Sequence, residues 1–99
     1  MKKEEITFIL RKLGFGQLVN QQNTFLFKEP LCKIYITFTD DEKVEFYFFR
    51  NNLFAIKDLK ELNPSILFFE LDKYLSERRE NYLKVKIPIL RDYKLNLLV

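Results

Sequence analysis

The sequence predicts an α+β fold: an N-terminal helix, an antiparallel β-meander of four to five strands, a second helix, and a C-terminal strand or hairpin. Apolar residues recur at helical spacing near the N-terminus and again after residue 63. Between these segments they alternate with polar residues, as they do in half-buried strands. A chain of 99 residues has the length of one domain, so we expect residues 1–99 to form a single α+β domain.

The first helix is indicated by an apolar stripe and by the glycine that follows it. Gly14 can adopt the left-handed conformation that ends many helices. Phe15 can then fold back onto the last turn, which is the hydrophobic contact of a Schellman motif. We therefore expect the helix to stop just before Gly14. The stripe consists of Ile6, Ile9, Leu10 and Leu13.

Short strand-like runs follow the helix. Leu18–Val19 and Thr24–Phe27 flank a polar segment, residues 20–23, which is typical of a hairpin loop. Pro30 ends the second run, because proline cannot donate a hydrogen bond to a neighbouring strand. The segment predicts the first two strands of the meander.

Strict alternation indicates the central hairpin. From residue 32 to residue 38 every second side chain is apolar, residues 40–42 favour a turn, and the alternation resumes up to residue 49. If Phe38 opposes Val44, Ile36 faces Phe46 and Ile34 faces Phe48 on one buried face. On the reverse face the same register pairs Lys33 with Phe49, Tyr35 with Tyr47, and Thr37 with Glu45.

The second half begins with a turn and a helix start. Asn51–Asn52 favours a turn before another short strand at Leu53–Ile56. Asn63 and Pro64 suit the N-cap and the first position of a helix. An apolar stripe carries this predicted helix to about Asn81.

In the C-terminal segment the spacing of the apolar residues changes from helical to alternating. From residue 83 to residue 99 every odd position except Arg91 is apolar, which favours strands that meet in a hairpin with a loop at residues 90–92. A helix from residue 89 to residue 98 is the alternative, since Ile89, Tyr93 and Leu97 also fit helical spacing. We favour the strands.

The residue types exclude most catalytic chemistry. The chain has no histidine, so it lacks the commonest general base and zinc ligand. Its one cysteine, Cys32, alternates in step with apolar residues and is expected in the core. The acidic run Asp40–Glu42 lacks the spacing of a calcium loop and favours a turn. We therefore expect no enzyme activity, no cofactor and no metal.

The expected surroundings are those of a cytoplasmic protein. A lone cysteine forms no internal disulfide, which favours a reducing compartment. No apolar run approaches the roughly 20 residues that span a bilayer, so we expect no membrane association. The N-terminus is too polar for a signal peptide.

Two surfaces are candidates for binding. One is the reverse face of the central hairpin, where aromatic and basic residues lie together, unless a helix covers it as a second core layer. The other is the basic outer side of the C-terminal segment, whose charges also suit the protection of an exposed edge strand. The first surface comprises Lys33, Tyr35, Tyr47 and Phe49. The second comprises Lys84, Lys86 and Lys94, with Arg78 and Arg79 nearby on the tail of the predicted second helix.

These surfaces favour a non-catalytic protein-binding module: an inhibitor, an adaptor or an assembly subunit. Small chains of this build are common among phage and mobile-element proteins that act on a larger host complex, which is an analogy of class. The alternative is a domain that binds single-stranded nucleic acid, since aromatic rings beside cations hold unstacked bases. An enzyme is the third hypothesis, and the oligomeric state is left open.

Overall fold

A computed structural model describes residues 1–75 and 80–98. It confirms the α+β fold, with one helix, a five-stranded antiparallel meander and two further helices. The elements are α1 (Lys3–Lys12), β1 (Gly16–Leu18), β2 (Gln21–Glu29), β3 (Cys32–Phe38), β4 (Lys43–Phe48), β5 (Asn52–Asp58), α2 (Pro64–Leu75) and α3 (Glu80–Leu97).

The chain divides into two compact units, residues 1–61 and residues 62–99. The first unit holds α1 and the whole sheet, and the second holds α2 and α3. That residues 1–99 form a single domain stays a prediction.

In the first unit the strands follow one another in the order β1-β2-β3-β4-β5. The predicted register of the central hairpin is confirmed: Phe38 lies opposite Val44, and Ile36 lies opposite Phe46. Every second side chain of β3 is buried, because one face of the sheet forms the core. The buried apolar residues of the sheet are Phe25, Phe27, Cys32, Ile34, Ile36, Phe38, Val44 and Phe46.

The end of α1 has the predicted Schellman geometry. Gly14 has a φ of 97°, its N–H donates to the carbonyl of Arg11 at 3.1 Å, and the N–H of Phe15 donates to the carbonyl of Leu10 at 2.9 Å. The ring of Phe15 then packs 5.4 Å from that of Phe27 on β2. The helix is thereby fixed against the buried face of the sheet.

The first hairpin differs from its prediction. Residues 20–23 do not form the loop, because β2 already begins at Gln21 and only Val19 and Asn20 make the turn. The side chain of Gln17 donates to the carbonyl of Gln22 at 2.5 Å, so the polar residues take part in the hairpin. The polar residues 20–23 therefore indicate the exposed end of a hairpin and not the loop between its strands.

In the second unit, α2 starts where the sequence predicted. The side chain of Asn63 accepts a hydrogen bond from the N–H of Ile66 at 2.9 Å, which confirms it as the N-cap. The structure describes α2 as far as Leu75, and Asn81 belongs to α3. The predicted continuation over residues 76–79 lies outside the described residues.

The predicted C-terminal strand or hairpin is wrong, because residues 80–97 form the helix α3. The alternative helix over residues 89–98 had the right type but began nine residues too late. A step of two residues rotates a helix by about 200°, so apolar residues at odd positions fall on two opposite sides of it. The same pattern therefore fits a strand with one apolar face and a helix with two.

Candidate functional site

The strand pairing arranges the reverse face of the sheet in rows. Directly opposite residues share a face. Tyr35 lies opposite both Leu26 and Tyr47, and Tyr47 lies opposite Leu53. These four residues, Leu26, Tyr35, Tyr47 and Leu53, cross four strands and are called the tyrosine row here.

A more polar row and a pair of lysines flank the tyrosine row. On one side the pairing brings Thr24 opposite Thr37, and Thr37 opposite Glu45. Glu45 in turn lies opposite Ile56. On the other side Lys28 lies opposite Lys33. Apolar, polar and cationic groups thus run side by side across the reverse face.

Most residues of this face are less buried than those of the core face, with the exception of Thr24, which is 6% exposed. Tyr35 and Tyr47 are half-buried, while Phe46, the neighbour of Tyr47 in sequence, is 0% exposed. At the β5 side, Leu53 is 46% exposed and Ile56 is 48% exposed. The reverse face therefore keeps part of its apolar surface in contact with solvent.

Hydrogen bonds hold the polar groups of this face in place. The hydroxyl of Tyr47 donates to Glu45 at 3.0 Å, and the hydroxyls of Thr24 and Thr37 are 3.1 Å apart. Burial raises the pKa of the Tyr47 hydroxyl, and the bond to the carboxylate of Glu45 raises this pKa further. Tyr47 is therefore a neutral donor to Glu45, and it lies opposite Tyr35 on one neighbouring strand and opposite Leu53 on the other.

Phe49 does not join the tyrosine row. It lies in the turn after β4 with a φ of 52°, and its N–H donates to the carbonyl of Lys33 at 2.7 Å. Its ring packs 4.7 Å from that of Phe48, which is only half-buried. The sequence analysis extended the alternating strand pattern to residue 49, which is one residue too far, because β4 ends at Phe48.

Three lysines of the second predicted group, Lys84, Lys86 and Lys94, lie on the helix α3 and not on a strand. Lys84 and Lys94 are exposed on α3. Lys86 instead binds Asp72 of α2, with its amine 2.7 and 2.9 Å from the two carboxylate oxygens. Lys86 therefore joins two helices. Arg78 and Arg79 lie outside the described residues.

A buried tyrosine completes the junction between α2 and α3. Tyr82 is 1% exposed, and its hydroxyl donates to the carboxylate of Asp72. The same hydroxyl lies 3.3 Å from the carbonyl oxygen of Phe68, whose ring centroid is 6.0 Å from that of Tyr82. Burial raises the pKa of Tyr82 far above its ordinary value, and the bond to Asp72 adds to this effect.

The opposite side of α3, which the sequence analysis missed, carries exposed aliphatic residues. Ile87 is 56% exposed, Leu95 55% and Leu98 83%. With Leu90, Arg91 and Lys94 they line a shallow groove of about 410 Å³. We call this surface the outer face of α3; it comprises Leu83, Lys84, Ile87, Leu90, Arg91, Lys94, Leu95, Leu97 and Leu98.

The acidic run after β3 forms the predicted turn. The hydroxyl of Thr39 donates to Asp41 at 2.5 Å, and this bond holds the pKa of Asp41 below its ordinary value. Glu42 has a φ of 60°, as turn residues often do. Among residues 1–75 and 80–98, no group of three or more His, Cys, Asp or Glu side chains is arranged to hold a metal ion.

Comparison of the chain with protein-family models, with curated proteins and with solved structures found no match. Within the described ranges, no helix combines the length and the apolar character needed to cross a membrane.

Proposed function

We propose that this protein is a non-catalytic protein-binding module that acts on a larger protein as an inhibitor, an adaptor or an assembly subunit. The observation that supports the proposal best is the tyrosine row, with its exposed end at Leu53. Tyrosine buries a large area and has few rotors, so it dominates many protein interfaces. The buried Cys32 is compatible with a cytoplasmic location.

The strand pairing sets the positions of the tyrosine row on the sheet. Tyr35 and Tyr47 lie opposite each other on adjacent strands, and Glu45 accepts a hydrogen bond from the hydroxyl of Tyr47. Ordering flexible side chains costs free energy on association, so a prearranged row binds with a smaller penalty. The adjoining hydroxyls and carboxylate supply the polar rim that protein interfaces have around an apolar centre.

Single-stranded nucleic acid is the second candidate function. The observation that favours it is the pair Lys28 and Lys33 beside Tyr35, since cations beside aromatic rings hold unstacked strands. Glu45 disfavours it, because this carboxylate lies next to the same row and repels phosphates. A protein partner tolerates both charges, so we place it first.

The test begins with capture of bound proteins from cells of the source organism, with and without nuclease, followed by purification of the recovered partner. Its affinity is then measured by calorimetry for the wild type and for Tyr47→Ala. We expect a nuclease-resistant partner and a loss of about 2 kcal/mol, roughly thirtyfold in Kd, for the variant. Phe8→Ala is the matched control, since Phe8 is an aromatic residue of α1 that is 59% exposed.

Two results would contradict the proposal. One is an equal loss of affinity for Tyr47→Ala and Phe8→Ala. The other is binding of mixed-sequence single-stranded oligonucleotides at low salt that weakens steeply as salt rises, which would favour the nucleic-acid candidate. In that case each removed phosphate contact, for example Lys33→Ala, is expected to flatten the salt dependence by about one unit.

A further inference from the structure

The outer face of α3 is the exposed side of a helix whose other side is already in use. Tyr82 and Lys86 hold that other side to Asp72 of α2. At about 100° of rotation per residue, Ile87 points away from both of them. Exposed aliphatic residues on one helix face, repeated over several turns, are unusual on a lone monomer.

The spacing of these aliphatic residues suits another helix. Leu83, Ile87, Leu90 and Leu97 are separated by four, three and seven residues, which is the interval at which packed helices present side chains to each other. The groove beside them is lined by Leu95 and its neighbours along the helix. A helical partner would place its own apolar residues into this groove.

The charges on the outer face are of one sign except at its N-terminal end. Lys84, Arg91 and Lys94 are exposed, and Arg91 and Lys94 line the groove itself. Within the part of the chain that the structure describes, neither Arg91 nor Lys94 forms an ion pair. Glu80, in the first turn, is the acid on this side. The groove therefore presents cations that a partner can pair.

We propose that the outer face of α3 binds an amphipathic helix of another protein, whose apolar stripe is flanked by aspartate and glutamate. The argument for acidic flanks is charge complementarity with Arg91 and Lys94. A second copy of this chain fits less well, because a two-fold dimer sets a patch against itself and would bring these cations together. The proposal depends on α3 alone and not on the tyrosine row.

Two synthetic peptides test the proposal with the full chain. Both have about three heptads with leucine at the a and d positions; one carries glutamate and the other lysine at the e and g positions. We expect fluorescence anisotropy at low salt to show that the glutamate peptide binds at least about tenfold more tightly than the lysine peptide. Added salt should reduce this preference.

Matched variants identify the surface that binds. Arg91→Glu combined with Lys94→Glu is expected to reverse the preference, so that the lysine peptide binds more tightly by about tenfold. The control combines Arg50→Glu with Lys60→Glu, two exposed residues of the first unit, and alters the net charge equally. It should keep the wild-type preference.

Removal of the apolar contacts should abolish binding of both peptides. In the double variant Ile87→Gln and Leu95→Gln, the new residues have a high helix propensity, so circular dichroism should show an unchanged helix content. The proposal is overturned if the wild type does not distinguish the peptides, or if the control reverses the preference as well. It is also overturned if sedimentation shows a dimer that Ile87→Gln dissociates and Phe8→Ala does not.

Discussion

The reverse face of the sheet and the outer face of α3 expose apolar residues in different ways. On the sheet, each tyrosine is half-buried between neighbours in register, and Tyr47 donates a hydrogen bond to Glu45 within the same face. On α3, the aliphatic side chains are more exposed, up to 83% at Leu98, and the nearby cations Arg91 and Lys94 lack ion-pair partners in the described part of the chain.

If both surfaces bind partners, as we propose, they would do so in different ways. On the sheet, strand pairing already sets the positions of the aromatic residues, so less would have to be ordered when a partner arrives. On α3, aliphatic side chains accompany cations that have no ion pair among the described residues, so specificity would come from the partner's helix and its charge pattern. One chain would thus hold a fixed site and an adaptable one, on two compact units.

The largest expected effect separates the two faces of the sheet. Phe46→Ala should lower the free energy of unfolding by about 3–5 kcal/mol, because Phe46 is 0% exposed and packs on Phe54 at 6.0 Å. Tyr47→Ala should cost only about 1 kcal/mol, the scale of its cross-strand pairs with Tyr35 and Leu53. Urea unfolding, with an unchanged m value, measures both losses.

If Phe46→Ala fails to fold, Phe46→Leu gives a smaller loss that is still measurable beside Tyr47→Ala. Equal losses for Tyr47→Ala and Phe46→Ala would place Tyr47 in the core. The tyrosine row would then be part of the folded interior, and its role as a binding surface would be wrong.

The next effect depends on alkaline pH and compares the two units. Above pH ~10 an unfolded tyrosine loses its proton, whereas Tyr82 keeps its proton because its pKa in the fold is raised. The unfolded state then binds fewer protons, so the free energy of unfolding should fall by about 1.4 kcal/mol per pH unit on account of this group. Tyr82→Phe should remove that part of the slope.

Tyr47→Phe provides the matched control on the sheet. The pKa of Tyr47 is also raised, so its contribution to stability is likewise lost above pH ~10. Tyr47 is half-buried, however, and we expect its removal to flatten the slope less than Tyr82→Phe does. A larger effect for Tyr47→Phe would mean that the sheet face is drier than the helix junction.

The sheet was predictable because its signals are local and agree with one another. The alternation in β3 and β4 and the acidic turn between them leave one register that buries the apolar set, with Phe38 opposite Val44. Tyr35 and Tyr47 followed from that register. Leu26 and Leu53 were missed, because the register of β2 and β5 was not fixed by any comparable pattern.

The second unit was less predictable, for a physical reason. Apolar residues at every second position satisfy a strand and also a helix with two apolar sides, as on α3. The pairing of Lys86 and Tyr82 with Asp72 depends on the contact between α2 and α3, which no local pattern reports. The outer face of α3 therefore became visible only with the helix itself.

The smallest expected effect tests whether both surfaces are free of a role in folding. Ile87→Gln on α3 replaces an exposed apolar residue with one that favours helices, and Leu53→Thr on β5 replaces another with one that favours strands. Both should change the free energy of unfolding by no more than about 0.5 kcal/mol.

Ile87→Gln should be neutral or slightly stabilising, because glutamine has the higher helix propensity. Leu53→Thr should be neutral or slightly destabilising, because contact with Tyr47 is lost. Thermal unfolding measures both changes. A loss of about 2 kcal/mol or more for Ile87→Gln would mean that Ile87 packs within the fold, so that α3 would leave no face for a partner.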